Sequence, residues 1–285
     1  MKNIHNWNDF LIEYVSVKEL RYIIFDWDDN ILIMETPLHF QHFENGKWVN
    51  VDISPAEFAQ IRKKYPTTYM DNSEWKGDQK YSFIEFRDYG PRGENAFIED
   101  VKRTINDGKF GPSWDHFIDT LTEGRLFAIV TTRGHEPSTL KAAVRYIIDN
   151  VLTDEQKNKM SKNLQNFDEM FNITSNDMIT DYLDKCYFIG MFSQAFKDEF
   201  NYEPTGTKLN QGKKDAINKF INYVREFAKT AKVPLKIGFS DDDVNFSGAA
   251  KELFLGMEKS LDFSENFYVF DTSDSKLKGG VKTKI

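Results

Sequence analysis

The sequence predicts an α/β fold, a doubly wound and mainly parallel five-stranded sheet with a subdomain inserted after its first strand. Three observations predict it. Five short apolar runs, each four to six residues long and ending in polar residues, suit strands buried on both faces. Apolar residues at helical spacing fill intervals between those runs, as in alternating β and α units. The interval between the first and second runs, about 90 residues, is too long for a simple crossover. With 285 residues, about 40% of them hydrophobic, the chain can bury a sizeable core.

Taken in order, the first strand is Tyr22-Phe25. A hairpin follows, Leu38-His42 and Lys47-Val51, turning at Asn45-Gly46, a pair that favours the tight turns joining antiparallel strands. Next comes a helix start with Ser54 as cap, Pro55 at the first position and Glu57 at the third. Beyond it lie Tyr65, Tyr69, Trp75, Tyr81, Phe83, Phe86 and Tyr89, read as the small core of a cap rather than as a base-stacking platform. Residues 35–112 are therefore expected to form a cap over the active site, and 1–34 with 113–285 the main domain.

Trp114, Phe117, Ile118 and Leu121 mark a helix ahead of the second strand, Leu126-Val130. Leu140, Ala143, Val144, Ile147, Ile148 and Val151 mark the next. Residues 153–185 read as a polar helical insertion with no assigned role. The third strand is Cys186-Met191 and the fourth Leu235-Phe239, with a helix through Ala216, Ile217, Phe220, Ile221, Val224 and Phe227 between them. A helix through Ala249, Ala250, Leu253, Phe254 and Met257 leads to the fifth strand, Asn266-Phe270. The tail with Lys276, Lys278, Lys282 and Lys284 is expected to be a solvated end.

Composition narrows the function. A formal net charge of -8 disfavours general nucleic-acid binding, which needs a basic face. A single cysteine, Cys186, excludes an intrachain disulfide and points to the cytoplasm. No apolar run approaches a membrane span, and Met1 to Glu13 lacks a signal-peptide core. No phosphate loop of the Gly-x-x-x-x-Gly-Lys-Ser/Thr type occurs, so a fused kinase is not expected. Nothing in the sequence sets an oligomeric state.

Ligands of open α/β sheets bind beyond the carboxyl ends of the strands. There the sequence places Asp26-Trp27-Asp28-Asp29-Asn30, then Thr131-Thr132-Arg133-Gly134, and after the fourth strand Ser240-Asp241-Asp242-Asp243. Gly212-Lys213-Lys214 stands ahead of the helix that leads into the fourth strand. Carboxylates, a hydroxyl and an ammonium on one sheet edge suit phosphoryl transfer. A phosphomonoester repels nucleophiles, so a cation must neutralise it, and magnesium prefers a few carboxylates plus waters. Asp26 with Asp241 or Asp242 would supply these, one Asp oxygen would attack phosphorus, and a second carboxyl two residues on would move the proton.

These residues resemble the four ordered motifs of the haloacid dehalogenase (HAD) phosphatases. Asp26-x-Asp28-x-Asn30 resembles the first motif, Thr131 the second, Lys213 the third and Ile237-Gly238-Phe239-Ser240-Asp241-Asp242 the acidic fourth. The likeness spans Asp26 to Asp243, in family order, and the five strands match the family core. The resemblance implies a magnesium-dependent phosphatase with Asp26 as nucleophile, Asp28 as general acid and then base, and Thr131 and Lys213 on the phosphoryl group. It implies a metal site of Asp26, the backbone carbonyl of Asp28, Asp241 and Asp242. The implied substrate is a small phosphorylated molecule: a nucleotide, a nucleic-acid phosphate end or a metabolite. The pattern departs from the family at Asn30, where Thr or Val is usual, and Lys214 competes with Lys213 for the lysine role.

Several residues keep a plainer reading. Arg133 either contacts substrate or braces its own loop, and His135 either lies near the site or starts a helix. His39 and His42, three apart in a strand, point to opposite faces and are not read as ligands. Cys186 reads as core. Two other functions compete. A signalling receiver domain also joins aspartates, a hydroxyl and a lysine, but in a different order and a shorter chain. A non-catalytic binding protein on the same scaffold is the alternative, although Asp28, whose loss would mark one, is present.

Overall fold

The computed structural model describes residues 19–61, 67–71, 82–88, 90, 92–93, 95–171, 177–258 and 263–285. Tyr65, Trp75, Tyr81 and Tyr89 of the aromatic segment lie outside these residues, as does Met1 to Glu13. The strands are β1 Leu20–Phe25, β2 Leu38–Glu44, β3 Lys47–Ile53, β4 Tyr69–Asp71, β5 Phe127–Thr131, β6 Tyr187–Gly190, β7 Leu235–Asp241, β8 Glu265–Asp271 and β9 Val281–Lys284. The helices are α1 Pro55–Ile61, α2 Ala96–Asn106, α3 Trp114–Thr122, α4 Pro137–Asn150, α5 Asp154–Phe171, α6 Met178–Lys185, α7 Gln194–Phe200, α8 Leu209–Ala231 and α9 Val244–Gly256.

The main sheet has the order β6-β5-β1-β7-β8-β9. Its first five members are parallel, and all five apolar runs become those strands. β1 is central because Tyr22, Ile24 and Phe25 are buried, with β5 on one side and β7 on the other. The chain first builds outward from β1 through β5 and β6, then returns to lay β7 beside β1. That reversal opens a crevice at the carboxyl ends of β1 and β7, the usual ligand position in such sheets.

Among the described residues the sheet has six strands, one more than expected. Part of the lysine-bearing tail expected to be a solvated end, Val281–Lys284, pairs antiparallel with β8 and covers that strand's open edge. Gly279 and Gly280 make the turn, with φ of 76° and 66°. The ammonium of Lys282 lies 4.4 Å from the centre of the Tyr268 ring. Lysine-rich composition hides a strand whose value is backbone pairing at an edge, where charge is tolerated.

The expected hairpin and helix lie between β1 and α2. β2 pairs with β3 through the Asn45-Gly46 turn, and with β4, in a separate three-stranded sheet. Asn45 and Gly46 both take left-handed φ, as that turn requires. Ser54 and Glu57 form the reciprocal cap, the Glu57 amide donating to Ser54 Oγ at 3.2 Å and the Ser54 amide to Glu57 Oε2 at 2.7 Å. Leu38, Phe40 and Ile53, with Phe58, Phe83 and Phe86 packed on them, give this second sheet its own small core. α2 lies within the 35–112 span but buries Phe97 and Val101 in the main core.

Within 153–185, Met160, Leu164, Tyr182 and Leu183 also join the main core. Cys186 is buried, and burial pushes its thiol up to about 12, so its reading as core agrees with its surroundings. Among the described residues no helix is long and apolar enough to cross a membrane.

Candidate active site

Asp26 is the first residue past β1, and its amide donates to the Ser240 carbonyl at 2.9 Å. The β1 loop is thereby tied to the end of β7. Asn30 completes the tie. Its side-chain amide donates to the carbonyls of Asp26 and Ser240, at 3.1 and 3.0 Å. Its oxygen accepts from the hydroxyls of Ser240 and Thr272, at 3.0 and 2.8 Å. Asn30 is fully buried and forms a crosslink through four hydrogen bonds.

The structure brings Asp26, Asp241 and Asp242 together, with one oxygen of each within 4.8 Å of the others. Lys213 reaches them from α8, fully buried, with Nζ 2.6 Å from Asp26 Oδ1 and 3.0 Å from Asp241 Oδ2. The latter contact is an ion pair without hydrogen-bond geometry, and Asp241 Oδ2 is a buried oxygen that accepts no hydrogen bond among the described residues. Lys214 turns outward to Glu252 at 2.7 Å. Asp243 caps α9, accepting from the Asn245 amide at 2.8 Å. Of the adjacent like residues, Lys213 is the buried lysine, and Asp241 and Asp242 are the pair beside Asp26.

Electrostatics follow from three carboxylates around one ammonium in a dry place. Burial pushes Asp26 up to about 8; Lys213 opposes this, while Asp241 and Asp28 add to it. Burial, then repulsion from Asp26 and Asp241, pushes Asp242 up to about 9. Asp241 is also raised, by burial, against the pull of Lys213. Burial opposes the charge of Lys213, but Asp241 and Asp26 more than offset this and hold the ammonium above its ordinary range. Fully ionised, Asp26, Asp241 and Asp242 with Lys213 carry two uncompensated negative charges. A hard divalent cation with oxygen ligands would balance them, so the donor set fits magnesium.

Thr131 ends β5 and is fully buried, with its hydroxyl accepting from the Arg133 amide at 3.3 Å. The Asp28 carboxylate lies outside the three-aspartate cluster and accepts twice from Arg133, from Nε at 2.8 Å and from Nη2 at 2.6 Å. Its expected metal role therefore rests on its backbone carbonyl. Arg133 has no exposed surface, and its guanidinium lies over Phe86 and Phe97, 4.3 and 5.1 Å from the ring centres. Its side chain reaches Asp28, Thr36, Phe86 and Phe97, all outside its own loop.

His135 is stacked on Phe97 with ring centres 4.4 Å apart, and burial pushes it down to about 2. His39 pairs with Asp52 at 2.7 Å. Sequence reasoning missed Asp29, which takes φ of 52° in the turn after Asp28. Burial, then the charge of Asp28, pushes Asp29 up to about 6. A run of Asp-Asp-Asn at a strand end was the available signal, since Asp and Asn tolerate left-handed turns.

Comparison with known proteins found no matching family model, no matching curated protein and no matching solved structure.

Proposed function

We propose that this chain is a magnesium-dependent phosphomonoester hydrolase of the HAD type, working through an aspartyl-phosphate intermediate. The observation that carries the reading is the convergence of Asp26, Asp241 and Asp242 within 4.8 Å, with buried Lys213 joined to two of them. Asp26, Asp241 and Asp242, with the backbone carbonyl of Asp28, would hold the cation. Magnesium, when bound, supplies positive charge against the phosphoryl oxygens.

The chain's own residues then have distinct tasks. Lys213 holds Asp26 Oδ1, which leaves Oδ2 to attack phosphorus as the bond to the leaving oxygen breaks. The same ammonium offsets charge on the transferring group. The Thr131 hydroxyl accepts from the Arg133 amide and keeps its own proton to donate to a phosphoryl oxygen. Asp28 gives a proton to the departing oxygen and later takes one from the water that attacks the phosphorylated Asp26. Phosphate leaves and the Asp26 carboxylate is restored.

The inserted subdomain would serve as the cap. Its Phe86 carbonyl accepts from the Gly134 amide at 2.9 Å, and Arg87 Nη1 donates to the Phe192 carbonyl at 3.0 Å, which seats it beside the loops after β5 and β6. The substrate would be a small phosphorylated molecule, in keeping with a formal net charge of -8, which disfavours general nucleic-acid binding. The test is release of p-nitrophenol from its phosphate ester with and without magnesium. Wild type should turn over only with the metal, and Asp26→Asn should have no turnover above background. Equal activity in the two proteins would end this reading.

A further inference from the structure

Asp28 does not stand alone at the strand tip. Each of its oxygens accepts one hydrogen bond from Arg133, which approaches side-on through Nε and Nη2, and each keeps a second lone pair for a proton. This two-point contact fixes the plane of the carboxylate, which a single donor would leave free to rotate. Arg133 is itself fixed. Phe86 of the inserted subdomain and Phe97 of α2 lie against its guanidinium, and no part of it is exposed. Its Nη2 also donates to Thr36 Oγ1 at 2.9 Å.

The contacts continue past Thr36. The Thr36 hydroxyl donates to Asp100 Oδ2 at 3.0 Å, and Asp100 is buried. Arg92 grips Asp100 with two donors, at 2.8 and 2.7 Å, and reaches Glu85 with Nε at 2.7 Å. Glu85 lies 3.5 Å from His39 Nε2, on β2 of the separate sheet. An unbroken line of polar contacts therefore runs from Asp28 into the inserted subdomain.

We propose that Arg133 is a positioning residue for Asp28, and that Thr36 and Asp100 hold Arg133 in register with the inserted subdomain. This rests on the phosphohydrolase reading. Arg133 does not touch substrate; it sets where the Asp28 carboxylate stands when a proton must move. The seat of the subdomain on the main domain then bears on turnover through Asp28 rather than through substrate affinity alone.

The experiment is a double-variant cycle on the full chain, with p-nitrophenyl phosphate and magnesium. It compares wild type, Arg133→Gln, Arg133→Lys, Asp28→Asn and the Arg133→Gln/Asp28→Asn pair. Arg133→Gln should lower kcat about ten- to a hundredfold and leave KM within about threefold, as expected when an acid-base group is misplaced. Arg133→Lys, which keeps charge but not the two-point contact, should recover only part of the loss. In the Asp28→Asn background the Arg133 change should lower kcat by less than about twofold, since residues acting as one unit are not additive.

A raised KM with unchanged kcat would make Arg133 a substrate contact and overturn the proposal. A full multiplicative loss in the double variant would overturn it too. Should Arg133→Gln not fold, Thr36→Val removes one link at nearly constant volume and should lower kcat severalfold at unchanged KM. Unaltered kcat there counts against the proposal. A crystal structure of Arg133→Lys is independent of activity: an Asp28 carboxylate in its original plane would refute the positioning role. Inactive wild type would end the phosphatase reading, whereas active wild type with a fully active Arg133→Gln would end this inference alone.

Discussion

At the residue scale, neighbours that look alike in sequence differ in burial. Lys213 and Lys214 are adjacent, yet one is sealed between two aspartates and the other pairs with Glu252 at the surface. Removing a partner from a buried charge cluster costs far more than removing an exposed one. Lys213→Ala should therefore abolish phosphatase activity, while Lys214→Ala should keep kcat/KM within about twofold and shift stability by about 0.5 kcal/mol or less. Side-by-side steady-state kinetics checks this; comparable losses in both would reassign the lysine. The sequence could narrow this site to Asp26, Asp28, Thr131, one of two lysines and one or two of three aspartates. It could not choose further, because the choice turns on which side of α8 faces β7. Asn30 was legible only as a departure, since its partners Ser240 and Thr272 are remote in the chain.

At the scale of elements, the parallel strands were readable because burial on both faces leaves nearly continuous apolar runs. The hairpin was readable because its turn demands left-handed residues. β9 was not, because an exposed edge strand has no apolar signature and two of its four residues are lysines. β6 ends in Gly190, whose fitness is equally invisible in sequence. A Cβ there would stand 2.4 Å from the His135 carbonyl oxygen and 2.7 Å from that of Arg133, both backbone atoms. The loop carrying Arg133 therefore packs against the tip of β6 only if that residue has no side chain. Gly190→Ala should destabilise the fold by about 1–3 kcal/mol, the usual range for overpacking. Urea unfolding should show the lower midpoint with an unchanged slope. An unshifted midpoint would mean that the loop can move aside freely.

At the scale of the whole molecule, the acidic site is a source of instability that a cation should relieve. Asp26 and Asp242 are pushed up to about 8 and about 9, from an unfolded value of about 3.9. The metal-free folded chain therefore holds protons that the unfolded chain has released, and stability falls as pH rises. His135, pushed down to about 2, works in the opposite sense, but only below its unfolded value of about 6.5. Cys186, raised to about 12, contributes only above its unfolded value of about 8.5. Between pH 7 and 8 the carboxylates dominate, and stability should fall as pH rises. Thermal unfolding in chelator should show the falling midpoint, and excess magnesium should raise the midpoint more at pH 8 than at pH 7. A midpoint that climbs with pH in chelator would contradict the crowded site.

The pairing of β1 with β7 carries one more consequence. Asn30 and Ser240, joined by side-chain and backbone contacts, are 210 residues apart in the chain. Each half of the acidic cluster, Asp26 on one side and Asp241 with Asp242 on the other, is chemically ordinary until that pairing forms. Contacts between such remote segments form late because closing the intervening loop costs entropy first. During synthesis a ribosome releases Asp26 long before Asp241 and Asp242. Chains that end before Asp241 therefore lack the cluster, which assembles only when the two remote strands meet.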